Sequence, residues 1–354
     1  MRIEFLPAYN GDAICINFKH ENAAVNILID GGTKQTYQTK GKKNTIVNGP
    51  LKHLVEAIRE RNEKIDLLIL THIDDDHIGG IMKWLENDKK ALKLIGEVWF
   101  NSGKTIASYL NVSEIKIPEL QLVPHDTTET GVGQGVNFEK LIREAKVWNE
   151  AIVAQGQCLE FKGTTFKILS PSPAGLKALH DKWFREAPDS LTAVATDYDQ
   201  SLEHHLSKLI SDPDGSIHNG SSIAFIWVHN EKNYLFLSDA HADTLIDGFK
   251  LFEYDKENPI PAEVVKLSHH GSNRNISLEL LEVIDANQFV VTTNGDKHGH
   301  PDKKGLAKIL KSKSNPLIRF NYPKRIDDIF TAEDRKFIEF RTDTALDGII
   351  IEEE

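Results

Sequence analysis

The chain has 354 residues, 40% of them hydrophobic and 27% charged, with a net charge of −11. That length can bury a large core, while the negative balance argues against a nonspecific nucleic-acid coat protein, which needs clustered Lys and Arg. Two cysteines, Cys15 and Cys158, argue against a disulfide framework or a cysteine zinc site.

The opening MRIEFLPAYNGD lacks the apolar core of a signal peptide, and no apolar run approaches the roughly 18 residues of a membrane span. A cytoplasmic protein with no membrane partner is expected. In chain order, RIEFLPA, DAICINFKH and AVNILIDGG read as short strands, apolar or alternating and bounded by Gly, Asp or Asn. PLKHLVEAIRERNE reads as a helix, with proline at its start and apolar residues at helical spacing. KIDLLILTH is a strand so continuously apolar that both faces should be covered. After an Asp/His cluster, IGGIMKWLEND reads as a helix opening on glycines, and GEVWFNSG as a strand. From about 104 to 156 the strand signal fades, and NFEKLIREAKVWNEAI is expected as a surface helix. CLEFKGTTFKILSPSP returns to a hairpin, and residues 172 to 217 form a second, mostly helical insertion. SSIAFIWVHNEKNYLFLSDA reads as a hairpin turning at His229–Asn233. AEVVKLSHHGS and ANQFVVTTNGD are strands around the helix SLELLEVI, and RKFIEFRTDTALDGIIIEEE suggests closing strands. Two strand-rich halves flanked by helices suggest a layered α/β sandwich rather than a doubly wound parallel sheet.

The chemistry concentrates in THIDDDHIGG. His72, Asp74, Asp76 and His77 sit where a strand ends, and alternation puts positions 72, 74 and 76 on one side if the chain stays extended. Imidazole and carboxylate are ligands for zinc, manganese and iron, and two ions about 4 Å apart would need this many. A solvated acidic turn capping the next helix is the plainer alternative, but a cap needs one aspartate. Other strand ends repeat the theme: Asp239 follows YLFLS, and His269 and His270 follow VVKLS. Asp239 can bridge two ions through its two oxygens, and one of His269 and His270 can complete the second ion's ligand set.

The order ILIDGG, THIDDDHIGG, LSDA, HHGS resembles the metallo-β-lactamase superfamily. Its usual motif is His-x-His-x-Asp-His, and here Asp74 stands at the second histidine. That form, with HHGS, the later HGHP (298–301), FKILSPSP and NGSSIAF, is similar to the ComEC-like branch and its soluble relatives over about residues 2 to 310. The resemblance implies a four-layer αββα sandwich, one domain over 1–354 with helical insertions at about 104–156 and 172–217. It implies metal ligands at His72, Asp74, Asp76, His77, Asp239 and one of His269 and His270. Asp30 would brace the site by hydrogen bonding, and His300 would meet the substrate phosphate. The superfamily's remaining histidine ligand has His218 as its candidate, four residues before Ser222, with Asn219 beside it.

A carboxylate at position 74 makes the site harder and more anionic than imidazole would, favouring Mn²⁺ for the two divalent ions, with Zn²⁺ as the alternative. The implied chemistry is hydrolysis by a metal-activated water. Asp76 would orient that water or take its proton, and His300, or His298, would donate to the phosphate or leaving group. Ser272 and Asn273 are candidate substrate contacts, set against a plainer role as turn residues.

His204 and His205 are expected at the surface and Cys15 in the core. The runs KGKKN (40–44) and KKGLAKILKSK (303–313) read as solvated faces, or as a basic rim for a phosphate backbone. The leading expectation is a phosphodiesterase or nuclease acting on DNA or another phosphodiester. Hydrolysis of a small ester, lactone or thioester is one alternative, and a non-catalytic interaction subunit is another. The insertions are expected to cap the site or dock a partner protein.

Overall fold

Two mixed sheets face each other through a shared apolar layer, in a computed structural model that describes residues 1–112, 131–183, 196–210, 212–337, 341–344 and 348–353. The first sheet runs, in spatial order, Ile349–Glu352, Arg2–Phe5, Ile14–His20, Ala23–Ile29, Ile65–Ile69 and Ile95–Trp99. It is antiparallel up to Ala23–Ile29 and parallel beyond. The second runs Arg341–Thr344, Leu317–Phe320, Gln288–Val291, Val264–Lys266, Lys232–Phe236, Ala224–His229, Thr164–Ser170 and Cys158–Phe161. Its first five strands are parallel and its last four antiparallel, sharing Lys232–Phe236.

Period-two alternation distributes each strand's side chains between two layers. Leu67 and Ile69 enter the layer between the sheets, together with Phe225, Trp227 and Phe236 from the opposite sheet. Leu68 and Leu70 point the other way, under the helices Pro50–Glu60 and Asp75–Asn87, against Val55, Ile58, Ile81 and Trp84. The second sheet does the same with Ile226, Leu235 and Val265 beneath the helices Ala242–Lys250, Leu278–Val283 and Lys303–Ser312. Helix, sheet, sheet, helix: this is the expected αββα sandwich. The continuous apolar run in KIDLLILTH is explained by two covered faces.

Several local expectations need correction. The helix after the acidic cluster starts at Asp75, inside the cluster, and not at the glycines. The helix expected at NFEKLIREAKVWNEAI covers Gly131–Glu144 and is not a surface element, since Phe138 and Ile142 are buried against Phe100. His205 is buried, with its Nε2 2.9 Å from the Asp197 carbonyl oxygen, so it is not a surface residue. In KKGLAKILKSK, Lys303 and Lys308 are buried: Lys303 Nζ lies 2.7 Å from Asp334 Oδ2, and Lys308 Nζ donates to the carbonyls of Asn273 and Ile276. That run braces the core side of its helix and forms no continuous basic rim. The two expected insertions contribute the helices Gly103–Tyr109, Gly131–Glu144, Pro173–Trp183 and Leu202–Ser207; their residues 113–130, 184–195 and 211 lie outside the described residues. Among the described residues, no helix is long and apolar enough to cross a membrane.

Candidate metal centre

One rim of the sandwich gathers the strand ends that carry the polar motifs. Ala23–Ile29 delivers Asp30, Ile65–Ile69 delivers His72, Lys232–Phe236 delivers Asp239, and Val264–Lys266 delivers His269 and His270. The carboxyl ends of parallel strands are where open α/β sheets place ligands. The rim also holds strained backbone. Asp30, Ser238, His269 and His270 have φ of 56°, 45°, 45° and 53°, left-handed values that non-glycine residues seldom adopt. Such conformations cost on the order of 1 kcal/mol or more each and cluster at functional sites.

The acidic cluster does not act as a helix cap. Asp74 occupies the N-cap position of Asp75–Asn87, yet its side chain makes no capping hydrogen bond. Instead Oδ1 is in close contact with His218 Nδ1, and Oδ2 lies 3.6 Å from His72 Nε2. Because the helix begins at Asp75, Asp76 and His77 reach the rim from its first turn, whereas Asp75 turns away to Gln134 and Lys34. The glycines after His77 serve packing. A Cβ on Gly80 would sit 1.9 Å from the Gly31 carbonyl oxygen, so the helix lies directly on the loop that holds Asp30.

Asp239 is the hub. Its Oδ2 lies 3.9 Å from His72 Nε2, 3.5 Å from His77 Nε2, 3.8 Å from His269 Nε2 and 3.9 Å from His270 Nε2. These separations are too long for good hydrogen bonds. They suit ligand atoms grouped around a cation that each would approach at about 2.0–2.2 Å.

The other ring nitrogens are engaged from outside the cluster. His77 Nδ1 donates to Asp30 Oδ2 (2.8 Å), and His72 Nδ1 donates to Thr71 Oγ1 (3.0 Å), whose hydroxyl donates to Asp30 Oδ2 (2.7 Å). His269 Nδ1 is 3.0 Å from Asn275 Oδ1 and 3.6 Å from Asp214 Oδ2. His270 Nδ1 faces Asp12 Oδ1 at 3.5 Å. Fixing Nδ1 in this way orients an imidazole to bind metal through Nε2. The consequence is a set of buried polar atoms with no partner in the protein: Nε2 of His72, His77, His218 and His270, and Oδ1 of Asp239. Each such group costs about 1–3 kcal/mol unless something binds it.

The electrostatics favour the same occupant. Burial would raise the Asp239 carboxyl, but the imidazoles of His77, His270 and His269 hold it well below the usual range. Burial works likewise against ionised Asp74, and its contacts with His218 and His72 hold it well below as well. His77 is pushed down by burial, yet Asp239 and Asp30 carry it well above its ordinary value, and by the same balance His269, with Asp239 and Asp214, rises to about 9. A cluster negative enough to keep buried imidazoles protonated calls for positive charge, and a divalent cation supplies it without the protons.

Asp12 was not among the residues singled out by sequence. It lies within 4.8 Å of His77, Asp239 and His270 as a fourth member of a group able to hold an ion. Its oxygens are already occupied, however: Oδ2 pairs with buried Lys266 Nζ at 2.5 Å, and Oδ1 accepts from Thr292 Oγ1 at 2.5 Å. We therefore read Asp12 as the carboxylate that orients His270. The signal in the sequence was Lys266 itself, a lysine inside the strand VVKLS that is buried on both faces and so needs a carboxylate.

The remaining expected residues line the same rim. Asp76 Oδ2 accepts from Asn10 Nδ2 at 2.8 Å, and the nearby charges of His77, Lys297 and His270 overcome burial to lower its pKa. His300 packs edge-on against His269, with ring centroids 4.8 Å apart, and His298 lies 6.0 Å from His300. Burial, with Lys297 beside it, lowers His298 to about 4; burial also lowers His300, against the opposing pull of Asp302. Tyr198 Oη, 2.5 Å from the Gly299 carbonyl oxygen and 2.8 Å from that of Pro301, anchors the loop carrying both histidines. Ser272 is buried, its Oγ 3.4 Å from the amide nitrogen of Arg274, and Asn273 donates to Asp302. Asn219 Nδ2 bonds Asp214 Oδ2 at 2.7 Å, while its neighbour His218 faces Asp74.

A family model described as "Metallo-beta-lactamase superfamily" matches residues 20–141, the span that holds Asp30 and the 72–77 cluster. Over that span the chain is similar to this superfamily. It is also 21% identical over 338 residues to ComE operon protein 3 of Bacillus subtilis (strain 168), an alignment covering 92% of this chain and 33% of that protein. The chain thus spans about one third of that relative's length. The superfamily match ends before Asp239 and the histidine pair, so their convergence on His72 and His77 is an independent geometric finding.

Proposed function

We propose that the protein is a metal-dependent phosphodiesterase or nuclease with a dinuclear centre. The observation that carries this reading is the convergence of four imidazole Nε2 atoms on Asp239 Oδ2, with buried nitrogens left unpartnered. His72, Asp74 and His218 would hold one ion, Asp76, His77 and His270 the other, with Asp239 between them. His269, half held by Asn275 and packed on His300, would face the substrate side. Divalent ions held there supply positive charge that acidifies water and neutralises phosphoryl oxygens.

The chain's own groups fit the remaining tasks. Asn10 occupies one oxygen of Asp76 and leaves the other to orient water or take its proton. His300, kept below its ordinary pKa by burial, would donate a hydrogen bond to the departing oxygen. Exposed Lys297, beside His298, is placed to meet a substrate phosphate. Asp74, a carboxylate where the superfamily motif has imidazole, favours Mn²⁺ over Zn²⁺.

The test is hydrolysis of bis-p-nitrophenyl phosphate, set against a panel of esters, lactones and thioesters, with each metal in turn. Metal-dependent cleavage of the phosphodiester is expected. Cleavage confined to the carbon esters would replace this reading with the ester-hydrolase alternative, and no hydrolysis of any kind would favour a binding subunit.

A further inference from the structure

The segment from Thr33 to Gly49 contains four lysines and no carboxylate, in a chain whose net charge is −11. Its middle is a two-stranded antiparallel ribbon, Gln38–Lys40 paired with Ile46–Asn48, a small sheet separate from both sheets of the sandwich. The turn is ordered by its own bonds: Gly41 N donates to the Thr45 carbonyl at 2.7 Å, and Thr45 Oγ1 to the Lys42 carbonyl at 2.8 Å. At the root, Gly49 N donates to the Tyr37 carbonyl at 2.8 Å, and Tyr37 is buried.

Lys40, Lys42 and Lys43 are exposed and, among the described residues, form no ion pair. Next to them Ile46 is 69% exposed and Val47 48% exposed, a pair of bare β-branched side chains on a solvated strand. The ribbon is tied to the candidate centre. The short helix Lys34–Tyr37 joins it to the loop Asp30–Thr33, where Gly31 N donates to the His77 carbonyl at 2.9 Å, and from that helix Lys34 Nζ lies 3.8 Å from Asp75 Oδ1.

We propose that this ribbon is a nucleic-acid-docking element that grips duplex DNA beside the active site. The proposal rests on the phosphodiesterase reading and deepens it by naming a polymeric substrate. Three features favour duplex over other polyanions. A two-stranded β-ribbon fits the major groove, which is about 12 Å wide. Lysines are point-charge phosphate binders that hold a backbone without reading sequence. Ile46 and Val47 give short apolar contacts suited to sugars and thymine methyls, whereas membrane anchoring favours Trp, Phe or Leu. A charge run is ordinarily a solvated face, but that accounts for the lysines and not for the exposed isoleucine and valine. On a chain this acidic, a local cationic arm is also what holds a polyanion near an acidic site.

The experiment compares wild type with the triple variant Lys40→Gln/Lys42→Gln/Lys43→Gln, using the intact metal-loaded protein. Binding of a fluorescein-labelled, cleavage-resistant phosphorothioate duplex is followed by anisotropy across a salt series. The triple variant should bind at least about tenfold more weakly, with a log–log salt slope shallower by about 2–3, while hydrolysing bis-p-nitrophenyl phosphate as wild type does. Lys→Arg at all three positions should restore binding. Unchanged affinity and slope overturn the proposal; so does lysine-dependent binding to phosphatidylserine vesicles with duplex binding unaffected. Lysine-dependent duplex binding by a wild type that cleaves no phosphodiester would sustain the ribbon and sink the hydrolase reading.

Discussion

Asn in place of Asp12 separates holding the fold from aiming a ligand. Asp12 and Lys266 are both buried and 2.5 Å apart, so at an effective dielectric of about 20 their attraction is on the order of 7 kcal/mol before desolvation is charged against it. Removing the carboxylate charge strands the ammonium, and breaking a buried pair from one side costs about 3–5 kcal/mol. The same substitution alters the Asp12 Oδ1 environment that faces His270 Nδ1 at 3.5 Å, and loss of such an outer partner costs about 10–100-fold in metal affinity. Asp12→Asn alone confounds the two effects. The double variant Asp12→Asn/Lys266→Met removes the stranded charge and should recover most of the stability, because buried pairs replaced by apolar groups are often neutral. It should not recover the affinity. Urea midpoints give the first quantity and chelator-competition metal titration the second. A double variant that binds metal as tightly as wild type would refute the orienting role. So would anomalous scattering that placed an Asp12 oxygen within about 2.2 Å of an ion, since Asp12 would then be a ligand itself.

Two further outcomes follow from the same chemistry. Protein purified without chelator and assayed ion by ion should be most active with Mn²⁺, because Asp74 hardens the site, and Asp74→His should shift the preference toward Zn²⁺; strict Zn²⁺ dependence of the wild type would count against the hardness argument. Away from the centre, Asp334 Oδ2 accepts from Lys303 Nζ and from the Thr331 amide and hydroxyl, and Oδ1 from the Leu202 amide. Burial raises its carboxyl, but the Lys303, Leu202 and Thr331 bonds outweigh this and hold it at about 2. A carboxylate depressed on folding contributes stability above its unfolded pKa and loses it as pH falls through the folded value. Asp334→Asn should therefore cost about 2–4 kcal/mol at pH 7, with the gap to wild type closing only below about pH 4. Urea unfolding at pH 7, 5 and 3 measures this; a constant gap would show that the charge plays no part.

The centre was legible where strands end. His72, Asp239, His269 and His270 each follow an apolar run that reads as an interior strand, and one-rim convergence follows from parallel pairing at Ile29↔Ile69 and Leu235↔Val265. Local conformation inside the motif was less legible. The extended alternation expected for positions 72, 74 and 76 stops at Asp74, because Gly80 lets the helix settle on Gly31 and start one turn earlier. Asp12 was missed because a lone Asp in a turn carries no periodic signal, and only its tertiary partner Lys266 gives it meaning. His205 and the Gly131–Glu144 helix were misjudged for a related reason: their burial depends on what the insertions pack against, and no short-range pattern encodes that.

The two lysine runs show how far composition alone can go. KGKKN and KKGLAKILKSK look alike as strings, and either seemed fit to be a solvated face or a phosphate rim. Burial decides the second: Lys303 falls on the apolar stripe bearing Leu306, Ala307 and Leu310, while Lys308 lies on another side of the helix, buried where the Asn273 and Ile276 carbonyls receive it. Burial is tolerable there because Asp334 and two carbonyl oxygens receive them, and Lys308 is pulled down to about 8 by desolvation and the neighbouring Lys304. No such stripe exists in the first run. A three-residue strand on each side of a tight turn has no interior to turn toward, so all three of its lysines stay in water. Their charge is therefore available to a partner, whereas that of Lys303 and Lys308 is already committed to the fold.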